Sequence, residues 1–312
     1  MPTKILIVIP VPSSYLFGLL RATKYIGIET KVFNSRGYTF LEKISIFFQN
    51  KTFATKLLNW RLVKTAKEFK PNALLVIKGE LISKETLNQM RDFGIKTVNW
   101  FPDYINAFEL ALKLSQYYNY FFHFDPLAAS RLNVHYLPFA ADILPSDPLP
   151  TLSNYNYAVS FVGNYYPIRE EYLKKVSDLG LNIWGDKRWA KSSLAHCYQG
   201  DQLPNSKFAE VSRHSKINLN IQHEYPCDGV VLRPFEVLGA GAFLLTENKR
   251  DVRKLFKNNV VSFNSPEDLR KKVIYFLAND KEREKLAEKG YLTIKAHHTY
   301  PHRIREIFKI ID

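Results

Sequence analysis

The chemistry-bearing stretch of this 312-residue chain is residues 229–247, GVVLRPFEVLGAGAFLLTE. Glu236 stands near the start of a short amphipathic segment, and Arg233 precedes it by three residues. A Gly239-Ala240-Gly241 break follows, then the apolar run Ala242-Phe243-Leu244-Leu245-Thr246, of strand length and composition. Helix, glycine turn and buried strand make one half-step of an alternating α/β sheet. A carboxylate on the opening turn of such a helix lies at the sheet edge where α/β folds place ligands. It can accept two hydrogen bonds at once, which suits the hydroxyls of a ribose. A guanidinium one helical turn earlier suits a phosphate. Together they describe a nucleotide site; a surface helix with a solvated Glu and Arg fits the same residues equally well.

Other chemistries lack their residues. His223-Glu224 has no second His at helical spacing, so there is no HExxH pair. His297, His298 and His302 have no Cys or carboxylate pattern beside them and read as a solvated helix start, so no metal site is expected. There is no GxSxG, no P-loop and no DxD.

The elements that must position Glu236 alternate along the whole chain. Lys4 to Ile9 is an aliphatic run, as in a parallel strand covered on both faces. A Pro- and Ser-bearing loop follows in place of GxGxxG, then a helical pattern over residues 15–26, Gly27, and a strand over 29–33. Strands are expected over 73–77, 96–101, 120–124 and 135–137, with helices over 56–69, 83–93, 108–117 and around Ala128. Pro138, Pro145, Pro148 and Pro150 then mark a linker. Alternation restarts with strands at 159–162, 181–184, 217–221 and 260–263 and helices at 167–179 and 208–213. Ser265-Pro266-Glu267-Asp268 opens a helix, and residues 281–311 are mostly helical.

Composition narrows the class. Hydrophobic residues at 46% and charged residues at 24% argue for a folded globular chain over a disordered one. The net charge of +14 predicts attraction to anions: nucleotides, nucleic acid, acidic glycans or an anionic membrane face. Two cysteines, Cys197 and Cys227, give no disulfide framework, which suits a reducing cytosol. No apolar run reaches the roughly 18 residues of a spanning helix. Pro10 and Pro12 interrupt KILIVIPVP, so it reads as a first strand and not a signal peptide.

The segments VSFVGNYYPIREEYL (159–173), LNIWG (181–185), SKINLNIQ (215–222), RPFEVLGAGAFLLTE (233–247) and HHTYPHR (297–303) together resemble the CgeB-like spore-maturation proteins. VNWFPD (98–103), FHFDP (122–126) and YLPFAAD (136–142) extend the resemblance more thinly. It implies a glycosyltransferase of GT-B architecture: an α/β protein of two Rossmann-like domains with a cleft between them. Residues 1–150 would form the acceptor-side domain and 151–296 the nucleotide-sugar side, with a C-terminal helix over 297–312 packing back on the first. Carried over by position, Glu236 holds the ribose as the second acid of an E-x7-E pair, whose first position falls on Asp228, one methylene shorter. Gly163 and Asn164 fall in the loop that approaches the diphosphate, Arg169 and Arg233 neutralise its charge, and Gly239 and Gly241 turn the helix tightly into its strand beneath the nucleotide, as part of its binding site. Asp103, His123 and Asp125 are the candidates for a general base, should the reaction invert. Asp103 also reads as a helix-capping turn residue, and His123 as a packed core histidine.

The resemblance thus implies metal-independent, cofactor-free transfer from a nucleoside-diphosphate sugar, leaning towards retention, to a glycan, lipid-linked or protein acceptor. The location expected is cytoplasmic, with peripheral contact at an anionic inner membrane face. Two rival classes stand beside it: a non-catalytic nucleotide- or glycan-binding protein of the same fold, and a basic nucleic-acid-binding protein.

Overall fold

The structure is a computed structural model and describes residues 3–37, 51–103, 107–151, 154–222 and 227–312. His223 and Glu224 of the excluded HExxH reading lie outside the described residues. Contacts divide the chain into two compact units. Unit 1 comprises Met1–Pro138 and Tyr300–Asp312; unit 2 is Phe139–Thr299.

Unit 1 is a six-stranded parallel sheet ordered β2-β1-β3-β4-β5-β6. Its strands are β1 (Lys4–Ile9), β2 (Glu29–Asn34), β3 (Ala73–Ile77), β4 (Lys96–Phe101), β5 (Tyr120–His123) and β6 (His135–Tyr136). The intervening helices are α1 (Leu16–Tyr25), α2 (Lys51–Phe69), α3 (Lys84–Asp92), α4 (Phe108–Ser115) and α5 (Pro126–Leu132). Five of the six residues of β1 and all five of β3 are buried, because helices cover both faces of the sheet. Ser83 caps α3 by accepting the Thr86 amide at 3.2 Å, as its place before the helical run predicts. The helix α12 (Tyr300–Ile311) packs in this unit. The Tyr300 ring lies where a Cβ on Gly18 would be, 2.2 Å from that position, so α1 requires the glycine. Arg303 donates from Nε to the Pro138 carbonyl at 2.8 Å, and Lys96 reaches the Ile311 carbonyl.

Unit 2 is a second six-stranded parallel sheet, ordered β12-β11-β10-β7-β8-β9. Its strands are β7 (Tyr157–Val162), β8 (Leu181–Trp184), β9 (Tyr198–Gly200), β10 (Ser215–Asn220), β11 (Leu244–Glu247) and β12 (Val261–Phe263). Read from β9, this is the doubly wound 3-2-1-4-5-6 order, in which the winding direction reverses between β7 and β10. The helices are α6 (Pro167–Lys174), α7 (Asn205–Arg213), α8 (Leu232–Gly239), α9 (Arg250–Phe256), α10 (Pro266–Ala278) and α11 (Asp280–His297). The core runs from Val159 and Phe161 through Ile183 and Trp189 to Leu245 and Phe276. Buried polar residues of the strands pair with one another: Ser160 donates to Asn218 Oδ1 at 2.9 Å, and Asn220 donates to Thr246 Oγ1 at 2.9 Å.

Two differences from the expected elements have local causes. Helix α6 stops at Lys174 and not at Leu179, because the next amides bond three residues back: Lys175 to Tyr172, Val176 to Leu173, Leu179 to Val176. Helix α9 and strand β9 go beyond the expected elements; both are short, and neither has a strong period.

Candidate functional site

The winding reversal in unit 2 brings three loop starts to one edge of the sheet: those after β7, β10 and β11. The loop after β7 begins with Gly163, whose amide bonds the Trp184 carbonyl and whose carbonyl accepts Trp189 Nε1, both at 2.9 Å. A Cβ on Gly163 would sit 3.2 Å from Arg169 Nη1, so the missing side chain leaves room for that guanidinium. Arg169, in the first turn of α6, donates from Nε to the Ile221 carbonyl and from Nη1 to the Asn164 carbonyl, each at 2.8 Å. Its guanidinium lies 5.5 Å from the Phe161 ring and 5.1 Å from that of Tyr166. Arg169 therefore ties the loop after β7 to the end of β10, and its positive charge sits at the sheet edge. Asn164 also contacts Gln202 through its side-chain oxygen.

Glu247, the last residue of β11, completes this edge. It accepts the Gln222 amide at 2.8 Å; burial raises its pKa, opposed by that bond and by Lys249 and Arg169. Gln222 donates to the Gly229 carbonyl at 3.3 Å, while its Oε1 is buried and finds no hydrogen-bond partner among the described residues. Asp228 is half-buried in the loop between β10 and α8. Sequence reasoning missed Glu247, because the strand is expected to end at Thr246; a carboxylate directly after a buried strand was the available signal.

Helix α8 carries the predicted pair. Arg233 is its second residue and Glu236 its fifth, so Glu236 starts about 6 Å along the axis, beyond the opening turn expected for it. Helical side chains lean towards the N-terminus, which returns the carboxylate towards the strand-end edge. Arg233 Nη1 and Glu236 Oε2 are 2.8 Å apart, with side chains 32% and 16% exposed. The guanidinium also lies 4.1 Å from the Phe208 ring centroid. Burial raises the Glu236 pKa, Arg233 opposes this, and Asp142 adds to it. The pair is thus a shielded ion pair and not the solvated one of the alternative sequence reading.

Gly239 and Gly241 are the clearest correction. Helix α8 runs antiparallel to the strands, so its C-terminus lies at the opposite edge of the sheet from Arg169 and Gln222. Gly241, with φ +74°, closes a Schellman motif: its amide bonds Leu238 and the Ala242 amide bonds Val237. A Cβ on Gly239 would approach Ala141 Cβ to 2.7 Å, so that glycine serves packing. Both shape the helix end, at the opposite edge of the sheet from Arg169 and Gln222.

The candidate bases lie in unit 1, at the corresponding edge of its sheet. Asp103 follows β4 and pairs with Lys78 Nζ at 3.0 Å; their side chains are 36% and 29% exposed. Lys78 has φ +72°, and its carbonyl accepts Asn99 Nδ2 at 2.9 Å. His123 is 1% exposed, and its Nδ1 accepts the Asp125 amide at 3.0 Å. Burial lowers its pKa to about 4 despite Asp125 and Asp103, so it is neutral at pH 7 and enclosed in the core. Asp125 caps α5, accepting the Leu127 and Ala128 amides at 2.7 and 3.0 Å. Both therefore have structural duties, which leaves Asp103 as the accessible carboxylate. Among the described residues no group of three or more His, Cys, Asp or Glu could hold a metal ion. No helix of the described residues is long and apolar enough to cross a membrane.

Residues 169–309 match the family model Glyco_trans_1_2, described as glycosyl transferase-like. Comparison with curated proteins finds no match. Among solved structures, sucrose-phosphate synthase from Thermosynechococcus elongatus is similar at TM-score 0.70 and 8% identity, over 99% of this chain and 98% of that one. The N-terminal domain of Candida albicans trehalose-6-phosphate phosphatase is similar at 0.65 and 9%, over 100% and 97%. UDP-GlcNAc 2-epimerase from Neisseria meningitidis, solved bound to UDP-GlcNAc, is similar at 0.58 and 12%, over 99% of each chain. The two six-stranded parallel sheets with their alternating helices have the Rossmann-like, two-domain GT-B fold.

Proposed function

We propose that the protein is a glycosyltransferase that takes its sugar from a nucleoside-diphosphate donor. The observation that carries this reading is the shielded Arg233–Glu236 pair, on a helix that begins at the edge where Gly163, Arg169 and Gln222 converge. The match of residues 169–309 to a glycosyl transferase-like family supports transfer over epimerisation for the same edge. The motifs in 159–173, 233–247 and 297–303, which resemble those of the CgeB-like proteins, support the same reading.

In this reading Glu236 accepts the ribose hydroxyls. The α8 N-terminus and Arg233 stabilise the leaving diphosphate, and Gly163 lets it approach the backbone. Arg169 holds that loop and supplies charge from behind it. The bond from the anomeric carbon to the phosphate oxygen breaks, and the nucleotide departs with the electron pair. A bond to the acceptor oxygen forms, and the acceptor proton leaves with the phosphate in a retaining course or passes to a base such as Asp103 in an inverting one. The Asp228–Glu236 spacing favours retention, and the donor site needs no metal. The acceptor is a glycan, a lipid-linked sugar or a protein, and the place of action is the cytoplasm.

Thermal shift against a panel of nucleoside diphosphates tests this. Stabilisation by at least one is expected in the native protein and lost in Glu236→Ala and Glu236→Gln, with unchanged circular dichroism. An unaltered shift in both variants removes Glu236 from the site. Conversion of the donor to an epimer, without release of nucleotide, would replace transfer with another reaction.

A further inference from the structure

Helix α2 has two opposed faces. Leu58, Leu62 and Ala66 are buried in the core of unit 1 and anchor the helix. The outer face is a stripe of exposed residues at positions 53, 56, 60, 64 and 67, spaced three or four apart along about 21 Å. Two are large aromatics, Phe53 at 52% and Trp60 at 60% exposure; the others are Lys56, Lys64 and Lys67. Phe93, after α3, adds a third aromatic at 42%. The lysines lie among these rings: Lys64 Nζ is 5.8 Å from the Trp60 centroid and Lys67 Nζ is 5.2 Å from that of Phe93. The helix holds five basic residues against one acid, Glu68, which lies 4.0 Å from Lys64.

We propose that this face of unit 1 docks on an anionic lipid bilayer. Aromatic rings alternating with lysines suit the headgroup region, where rings enter the interface and ammonium groups stay with phosphates. The charge of the helix complements anionic lipid, each lysine near the surface adding about 1 kcal/mol. The five exposed positions fall on one side of the helix, so they can meet a surface together. A single-stranded nucleic acid would use a groove that tracks its backbone, whereas these rings and lysines stand on the outer face of one helix. The inference is independent of the proposed transfer reaction.

Sedimentation of the full chain with phosphatidylcholine vesicles, with and without 30% phosphatidylglycerol, tests it. Binding is expected only to the anionic vesicles. Trp100, Trp184 and Trp189 are buried, so a blue shift of tryptophan emission on binding reports Trp60. Lys56→Glu, Lys64→Glu and Lys67→Glu together should weaken partitioning on the order of 100-fold, at about fivefold per lysine lost. Trp60→Ser should abolish the blue shift, while circular dichroism and the melting temperature of both variants stay unchanged. Partitioning that none of these substitutions alters, or binding to a random oligonucleotide with none to anionic vesicles, would overturn it.

Discussion

The two sheets reverse their winding after their first strands, yet their strand ends are finished differently. In unit 2 the edge is tied together: Arg169 spans two loops, Glu247 holds the Gln222 amide, and Trp189 holds Gly163. In unit 1 the edge carries a Lys78–Asp103 pair more than a quarter exposed on each side. A preorganised edge suits a ligand of fixed shape such as a nucleotide. A partly exposed ion pair leaves the unit 1 edge more open to solvent. The difference follows from sequence, since unit 2 leaves its first strand through a glycine and unit 1 through Pro10-Val11-Pro12.

The largest effect is expected at Gly185. A Cβ there would meet the Gly163 carbonyl oxygen at 2.1 Å. Gly185→Ala is expected to cost more than about 4 kcal/mol and to remove cooperative unfolding of unit 2 in denaturant, because backbone cannot yield as a side chain can. The next effect separates the units by chemistry. Asp103→Asn should retain nucleotide stabilisation and lower turnover by about 10²–10⁴-fold if Asp103 takes the acceptor proton. An unchanged rate with an intact nucleotide response would assign the edge of unit 1 to binding alone.

Acid distinguishes the units next. The folded His123 pKa of about 4 lies below its ordinary value of 6.5, so the unfolded chain binds the extra proton between those pH values. Stability is therefore full above pH 6.5 and falls as pH drops towards 4, by about 3 kcal/mol. His123→Gln should flatten that part of a stability–pH curve. Unit 2 has the opposite kind of group. Hydrogen bonds from Ser193 and Tyr165 hold Glu170 down at about 2, so its contribution persists through this window and is lost only below pH 4.5. The smallest effect expected is Asp125→Ala, about 1 kcal/mol in denaturant melts, from loss of the α5 cap.

Much of this was legible beforehand. Aliphatic runs such as residues 4–9 and 73–77 have one outcome in an alternating chain, and both are central strands. The place of Arg233 and Glu236 on one helix also followed from spacing. What did not follow was direction: glycines close to Glu236 in sequence lie at the far end of α8, because a helix returns the chain to the other edge. Capping was the second blind spot. Asp125 before Pro126 is a signature of a helix start, and a carboxylate serving two amides is committed before any catalytic role begins. Arg169 likewise looks like an anion ligand in sequence, and only folding shows two carbonyls on its guanidinium.

The chain leaves unit 1 at Pro138 and re-enters it at Tyr300. During synthesis, therefore, the ribosome must make all of unit 2 before the ring that fills the space above Gly18, or the arginine that binds the Pro138 carbonyl, has left the exit tunnel. The half begun first is finished last, and a chain cut short before residue 300 would leave the α1 groove of unit 1 uncovered.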